Sequence, residues 1–120
     1  MTHATLRHTI TEGQTLEYEK NGVVCIRDQF DKDWIDKMID AATDYITAPQ
    51  GPLNIQDDEN DPGKFVTGTH MSRFDKKFMD CAINSPAAEI AARLMRLDQV
   101  RFFYDQLFIK EPGTLAPTAW

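Results

Sequence analysis

The chain is predicted to be an α+β domain whose helices occupy most of residues 1–98 and whose principal strand comes last. Two observations carry that prediction. Trp34, Met38, Ala41, Ala42 and Tyr45 recur at the spacing of one helical face. Val100 to Lys110 is a run of aromatic and β-branched residues that favour a pleated, half-buried surface, and Glu111-Pro112-Gly113-Thr114 breaks it. The order read along the chain is helix, strand, helix, long loop, two helices, strand. Two strands so far apart in sequence cannot complete a sheet, so both are expected to belong to a larger one.

Taken in order, residues 1–10 show no periodicity and are expected to fray. Thr11 can cap a short helix running to about Lys20, and Asn21-Gly22 ends it, because glycine tolerates the left-handed conformation a helix C-terminus often needs. The nearly continuous apolar run near 23–27 predicts a short strand buried on both faces. Asp31 suits the N-cap of the next helix, with Asp33 in its first turn, where a negative charge complements the helix dipole. Ile35, Ile39 and Ile46 widen the apolar face of that helix, which is expected to end near Thr47 ahead of Pro49, Gly51 and Pro52.

From Ala48 to Lys64 the composition turns to Pro, Gly, Asn and Asp, which reads as a solvated loop or a longer binding loop. Its acidic run, Asp57-Asp58-Glu59-Asn60-Asp61, lacks the central glycine and terminal glutamate of a calcium loop. Phe74 to Ile83 reads as a helix. Ser85-Pro86 then starts another that reaches about Leu97 and gathers Ala87, Ile90, Ala91, Leu94 and Leu97 on one side.

Composition narrows the function classes. A chain of 120 residues with 42% hydrophobic and 27% charged residues is within the range of one globular domain. A net charge of −6, with no Lys/Arg stripe, disfavours binding to a phosphate backbone. No run approaches the ~20 apolar residues needed to span a bilayer, and Met1 to Thr5 lacks a leader pattern, so no membrane contact and a cytoplasmic location are expected. The two cysteines, Cys25 and Cys81, are isolated, and Cys25 within Val23-Val24-Cys25-Ile26 reads as a buried thiol in a reducing compartment.

Few residues announce chemistry by themselves. His3 and His8 read as solvated side chains, and His70 in Thr67-Gly68-Thr69-His70-Met71 could lie near a pocket. A non-haem iron triad needs two histidines and one carboxylate on a rigid scaffold, and no such pattern is visible. Alternation divides the last strand into a face with Phe103, Asp105, Leu107 and Ile109 and a face with Phe102, Tyr104, Gln106, Phe108 and Lys110. Asp105 reads either as a group facing a ligand or as a carboxylate bonded to nearby backbone or to Arg101. Leu107 reads as core or as a cavity wall, and Gln106 as a structural hydrogen bonder.

The end of the chain resembles the phytanoyl-CoA dioxygenase family, in which a Lys-Glu-Pro-Gly-Thr, Pro-Thr-x-Trp run lies directly before an iron-binding His-x-Asp. Lys110 to Thr114 and Pro117 to Trp120 carry the match within its most specific stretch, Asp105 to Trp120; the similarity is diffuse in Tyr18-Glu19-Lys20-Asn21-Gly22-Val23-Val24 and firms in Ser85-Pro86 with the helix that follows. The resemblance implies N-terminal helices buttressing the first strands of a double-stranded β-helix, a cupin-like jelly roll, with 99–120 as an early barrel strand and turn and the barrel incomplete. It implies a 2-oxoglutarate-dependent oxygenase that uses Fe(II) to hydroxylate a small organic substrate. It also implies that Asp105 and Leu107 line the substrate and cosubstrate cavity, with Trp120 beside the first iron ligand. The iron ligands and the basic residue that grips 2-oxoglutarate would follow Trp120, so these 120 residues are expected to be one domain fragment, inactive alone. The alternative is a non-catalytic α+β interaction module without a metal site, and an unpaired strand edge could make the chain self-associate.

Overall fold

The computed structural model describes residues 6–56 and 60–118. Among them are five helices and one three-stranded antiparallel sheet, an α+β arrangement as expected. The order is α1 (Glu12–Asn21), α2 (Lys32–Thr47), β1 (Leu53–Gln56), β2 (Phe65–Thr69), α3 (Met71–Phe74), α4 (Lys76–Asn84), α5 (Ala87–Leu94) and β3 (Gln106–Lys110).

The local signals for α1 and α2 translate directly into geometry. Thr11 and Gln14 form a reciprocal capping box, and Gly22 closes α1 at φ 72° with its N–H donating to the Tyr18 carbonyl. Asp31 accepts from the Trp34 N–H at 2.9 Å and so starts α2. Ala41 and Tyr45 from the predicted face are buried to 0% and 1% exposure. The proposed widening of that face does not hold for Ile35 and Ile39, which are exposed. Salt bridges from Lys37 to Asp80 and from Lys77 to Asp44 fasten α2 to α4, and Arg96 bridges Glu12 and Glu19 to tie α1 to the end of α5.

Sequence expectations are corrected first at three segments. Residues 23–27 form no strand, Val23 is exposed and the Cys25 thiol is exposed rather than buried. The β-branched run satisfied a side-chain preference, but a strand also requires a hydrogen-bonded neighbour, and none lies beside these residues among those described. The stretch near 48–64 contains β1 and leads into β2, so it is half of a β-hairpin rather than a plain loop. Residues 6–10 do not fray: the Gln29 side chain, itself buried, donates to the His8 carbonyl at 2.8 Å and accepts from the His8 N–H at 3.2 Å. Arg7 and His8 also meet the Asp28 carboxylate, so His8 has a carboxylate partner 20 residues away that local spacing could not reveal.

The helical stretch predicted over 74–83 is divided. Asp75 breaks it with extended backbone and then caps α4 by accepting from the Lys77 N–H at 2.9 Å. After α4, the Ser85 hydroxyl accepts from the Ala87 N–H at the start of α5. That helix stops at Leu94, three residues short of the expected end, and Arg96 then turns the chain at φ 53°.

The sheet is an open meander in the order β1-β2-β3. Its register sets Leu53, Gly68 and Leu107 in one row and Ile55, Val66 and Ile109 in the next, so these side chains share one face. Leu53 and Leu107 from that face join Met38 around a core of Ala41, Tyr45, Met71 and Phe78. Tyr45 and Phe78 meet edge to face with centroids 5.6 Å apart, a favoured aromatic geometry. Gly68 admits this packing: a Cβ there would lie 3.2 Å from the Met71 sulfur. On the opposite face Phe65 stacks on Phe108 at 6.1 Å and Lys110 lies over the Phe65 ring. The final strand is shorter than predicted, because Val100 to Tyr104 has no ladder and Phe103 is 87% exposed. No helix among the described residues is long and apolar enough to cross a membrane.

Candidate functional site

The residues singled out at the end of the chain converge on two places, one at each end of β3. At its start, the ladder continues one step past the strand: the His70 N–H donates to the Asp105 carbonyl at 2.9 Å. This puts Asp105 on the same side of the sheet as Leu107 and Ile109. The Asp105 carboxylate reaches the first turn of α3, where Oδ2 accepts from the Ser72 N–H at 2.9 Å and Oδ1 accepts from the Ser72 hydroxyl at 2.8 Å. His70, which precedes α3, makes no side-chain cap of its own and adopts φ 59°. Asp105 therefore caps α3 in its place, from 33 residues away. The partner is Ser72 and not Arg101.

This contact combines a buried serine, 8% exposed, with a half-buried carboxylate. Hydrogen bonds to an ionised acceptor are short and strong, so the pair fixes the angle at which β3 meets the β2–α3 corner. Each carboxylate oxygen still has lone-pair capacity beyond one bond, and a polar group approaching from the half-exposed side could be oriented by it. The His70 ring leans on Tyr104 with centroids 5.6 Å apart, and Tyr104 meets Phe103 edge to face. Leu107 packs against the core cluster, which is the structural one of the two readings open for it.

Tyr45 lies close enough to feel this charge. Burial raises its hydroxyl above the usual tyrosine value, with the negative charges of Asp105 and Asp75 adding to the shift. A raised native pKa means that the folded state holds its proton after the unfolded chain has lost it. The contribution to stability is thus complete below about pH 10, the unfolded value, and is lost as the pH rises through the folded value. Of the three tyrosines, one should ionise last in an alkaline titration followed by ultraviolet absorbance. Tyr45→Phe should delete that late phase, and its persistence in the variant would assign it elsewhere.

At the other end of β3, Lys110 to Thr114 docks against Asp61 to Lys64. The two turns have the same acidic-Pro-Gly pattern: Asp61-Pro62-Gly63 and Glu111-Pro112-Gly113. They interlock through their glycines. A Cβ on Gly63 would lie 2.4 Å from the Pro112 carbonyl oxygen and 2.7 Å from the Thr114 nitrogen, and one on Gly113 would lie 2.7 Å from Pro62 Cγ. Gly113 also has φ 87°, where side chains are strained. The Lys64 N–H donates to the Glu111 carboxylate at 3.0 Å, and the Glu111 N–H donates to the Lys64 carbonyl at 2.9 Å. Asp61 Oδ2 then accepts from the Leu115 N–H at 2.7 Å and from the Thr114 hydroxyl at 3.3 Å. Lys110 Nζ reaches the Thr118 hydroxyl at 3.3 Å.

Sequence reading pointed to Asp105, Leu107 and the turn after Lys110 but missed their partners. Asp61 was legible in principle, since the repeated acidic-Pro-Gly pattern marks two similar turns. Ser72 carried no signal and Tyr45 was legible as core but not as a neighbour of Asp105, because nothing in the sequence links either to a carboxylate more than 30 residues on. Trp120, His3 and residues 57–59 lie outside the described residues.

Among the described residues no group of three or more His, Cys, Asp or Glu could hold a metal ion. An apolar groove of about 470 Å³ runs between α4, α5 and the segment before β3, lined by Ile83, Ala87, Ala91, Met95, Val100 and Phe102. Asp105 and Leu107 are not in its wall. No family model, curated protein or solved structure matches the chain.

Proposed function

We propose that this chain is the N-terminal part of a phytanoyl-CoA dioxygenase-like oxygenase, dependent on Fe(II) and 2-oxoglutarate and hydroxylating a small organic substrate. The observation that carries the reading is the locked turn at Lys110 to Thr114. The segment that resembles the family's approach to its metal is held by two interlocked Pro-Gly turns and by Asp61. A segment held in this way suits the delivery of ligands to one place, since such sites need their supporting shell fixed within about 0.5 Å. In this reading the three-stranded meander is the beginning of a double-stranded β-helix and the helices pack outside it. Asp105 orients a polar group of the substrate or cosubstrate, Leu107 packs beneath it, and Trp120 forms an aromatic wall.

The iron ligands in this reading follow Trp120, so no reaction step is assigned to residues 6–118. The gene product that includes the following residues, purified without metal, should consume 2-oxoglutarate only after Fe(II) is restored. Loss of that consumption on chelation and its recovery on adding iron is the expected pattern. No iron-dependent consumption with any of a panel of small organic substrates, or without substrate, would contradict the reading.

A second reading is favoured by one observation. Phe103 and Leu115 are 87% and 81% exposed, and β3 is an outer strand of the sheet, which suits an α+β interaction module that pairs through a strand edge. Such a module should be monodisperse and unfold cooperatively at 120 residues. Concentration-dependent aggregation with strong binding of a hydrophobic dye speaks instead for an edge that lacks its neighbouring strand.

A further inference from the structure

We infer that Asp61 is a positioning residue: by holding Thr114 and Leu115 it sets the direction in which the chain leaves the sheet after β3. Its consequence for catalysis rests on the oxygenase reading, while its geometry does not. Turns that end strands commonly close on themselves through short-range backbone bonds. Here one such bond exists, from the Thr114 N–H to the Glu111 carbonyl at 3.2 Å. The stronger restraint comes from outside the turn. Asp61 is half-buried, more than 50 residues away in sequence, and its Oδ2 accepts from both Leu115 N–H and the Thr114 hydroxyl.

The Thr114 hydroxyl carries the restraint one residue further, since its oxygen accepts from the Ala116 N–H at 3.3 Å. Three consecutive residues therefore take their orientation from one carboxylate. That carboxylate is itself braced. Its Oδ1 faces the Gly63 N–H at 3.5 Å, and backbone atoms of residues 111, 112 and 114 lie within 3 Å of where a Cβ on Gly63 would stand. Leu115 gains little from burial at 81% exposure, so packing does not explain why its backbone is held. A charge-assisted hydrogen bond does.

The inference separates positioning from plain stability. In the chain as it exists, the Leu115 amide should exchange with solvent slowly despite its exposed side chain. Asp61→Ala should speed that exchange by roughly tenfold to hundredfold, the range expected for losing a hydrogen bond to a charged acceptor. The His70 and Ile109 amides in the ladder should keep their rates, and the urea midpoint should change little. Asp61→Asn retains an accepting oxygen without the charge and should restore only part of the protection. Thr114→Val should free Ala116 while sparing Leu115. Residual dipolar couplings across residues 114–118 should report one orientation in the unmodified chain and averaging in Asp61→Ala.

A Leu115 amide that already exchanges freely in the unmodified chain overturns the inference. So does an Asp61→Ala chain in which all amides speed up together, which marks a global stability effect. If Asp61→Ala does not fold, Thr114→Val and Asp61→Asn give the same discrimination through Ala116 and Leu115. None of these outcomes depends on iron or 2-oxoglutarate, so the oxygenase reading can fail while Asp61 keeps its role, and the reverse also holds.

Discussion

A Gly63→Ala chain is expected to be about 3 kcal/mol less stable than the unmodified one, at the upper end of what overpacking costs. The added methyl carbon would meet the Pro112 carbonyl oxygen at 2.4 Å, the Thr114 nitrogen at 2.7 Å and the Glu111 carbonyl oxygen at 2.9 Å. All three are backbone atoms, so relief requires the two Pro-Gly turns to separate rather than a side chain to rotate. Separation also breaks the Lys64 N–H bond to Glu111 and withdraws Asp61 from Leu115. Gly13→Ala supplies the contrast. A Cβ on Gly13 would meet only Thr11 Oγ1, at 3.8 Å, and alanine is favoured over glycine in a helix by ~1 kcal/mol. Urea unfolding of both variants should move in opposite directions. A Gly63→Ala midpoint equal to that of the unmodified chain would show that the turns do not interlock.

Replacing Asp105 by alanine should cost about 2–3 kcal/mol, since it removes two hydrogen bonds to a charged acceptor and leaves the Ser72 N–H and hydroxyl without their partner in a buried setting. Ser72 is 8% exposed, so its N–H and hydroxyl meet solvent only from the side that the carboxylate now covers. Ser72→Ala removes the 2.8 Å hydroxyl bond but keeps the 2.9 Å backbone bond, and should cost about 1 kcal/mol. The double variant should cost less than the two single variants together, because both changes act on one contact. Strict additivity in thermal or urea unfolding would place Asp105 outside this pairing.

What the sequence revealed followed from whether the deciding interaction was local. Thr11, Gly22 and Asp31 act within four residues of themselves, and their caps and helix ends were read correctly. Tyr45 and Ala41 obeyed helical periodicity and are core. The run at 23–27 misled because β-branched composition states a preference and not a partner. The opposite error concealed β1, whose Leu53-Asn54-Ile55-Gln56 alternation is only four residues long and sits among Pro, Gly and Asp. Its register with β2 is set by pairing across the hairpin, which no propensity encodes.

The candidate site shows the same division. Alternation placed Asp105 and Leu107 on one face, and the backbone bond from His70 to Asp105 keeps them there. What Asp105 touches depended on a helix start 33 residues earlier, and the fit of one Pro-Gly turn against another depended on a contact across the sheet end. The repeated Asp61-Pro62-Gly63 and Glu111-Pro112-Gly113 pattern was on view in the sequence. Its meaning is a matter of tertiary approach, visible in the clash distances that each glycine avoids.

If the locked turn at Lys110 to Thr114 leads into an iron site, as proposed, the sequence of the transcript beyond the Trp120 codon is the most direct test. His-x-Asp is expected in the next three residues, followed further on by a second histidine and a basic residue suited to a carboxylate. A stop codon directly after Trp120, or a continuation with no His-x-Asp, would contradict the proposal.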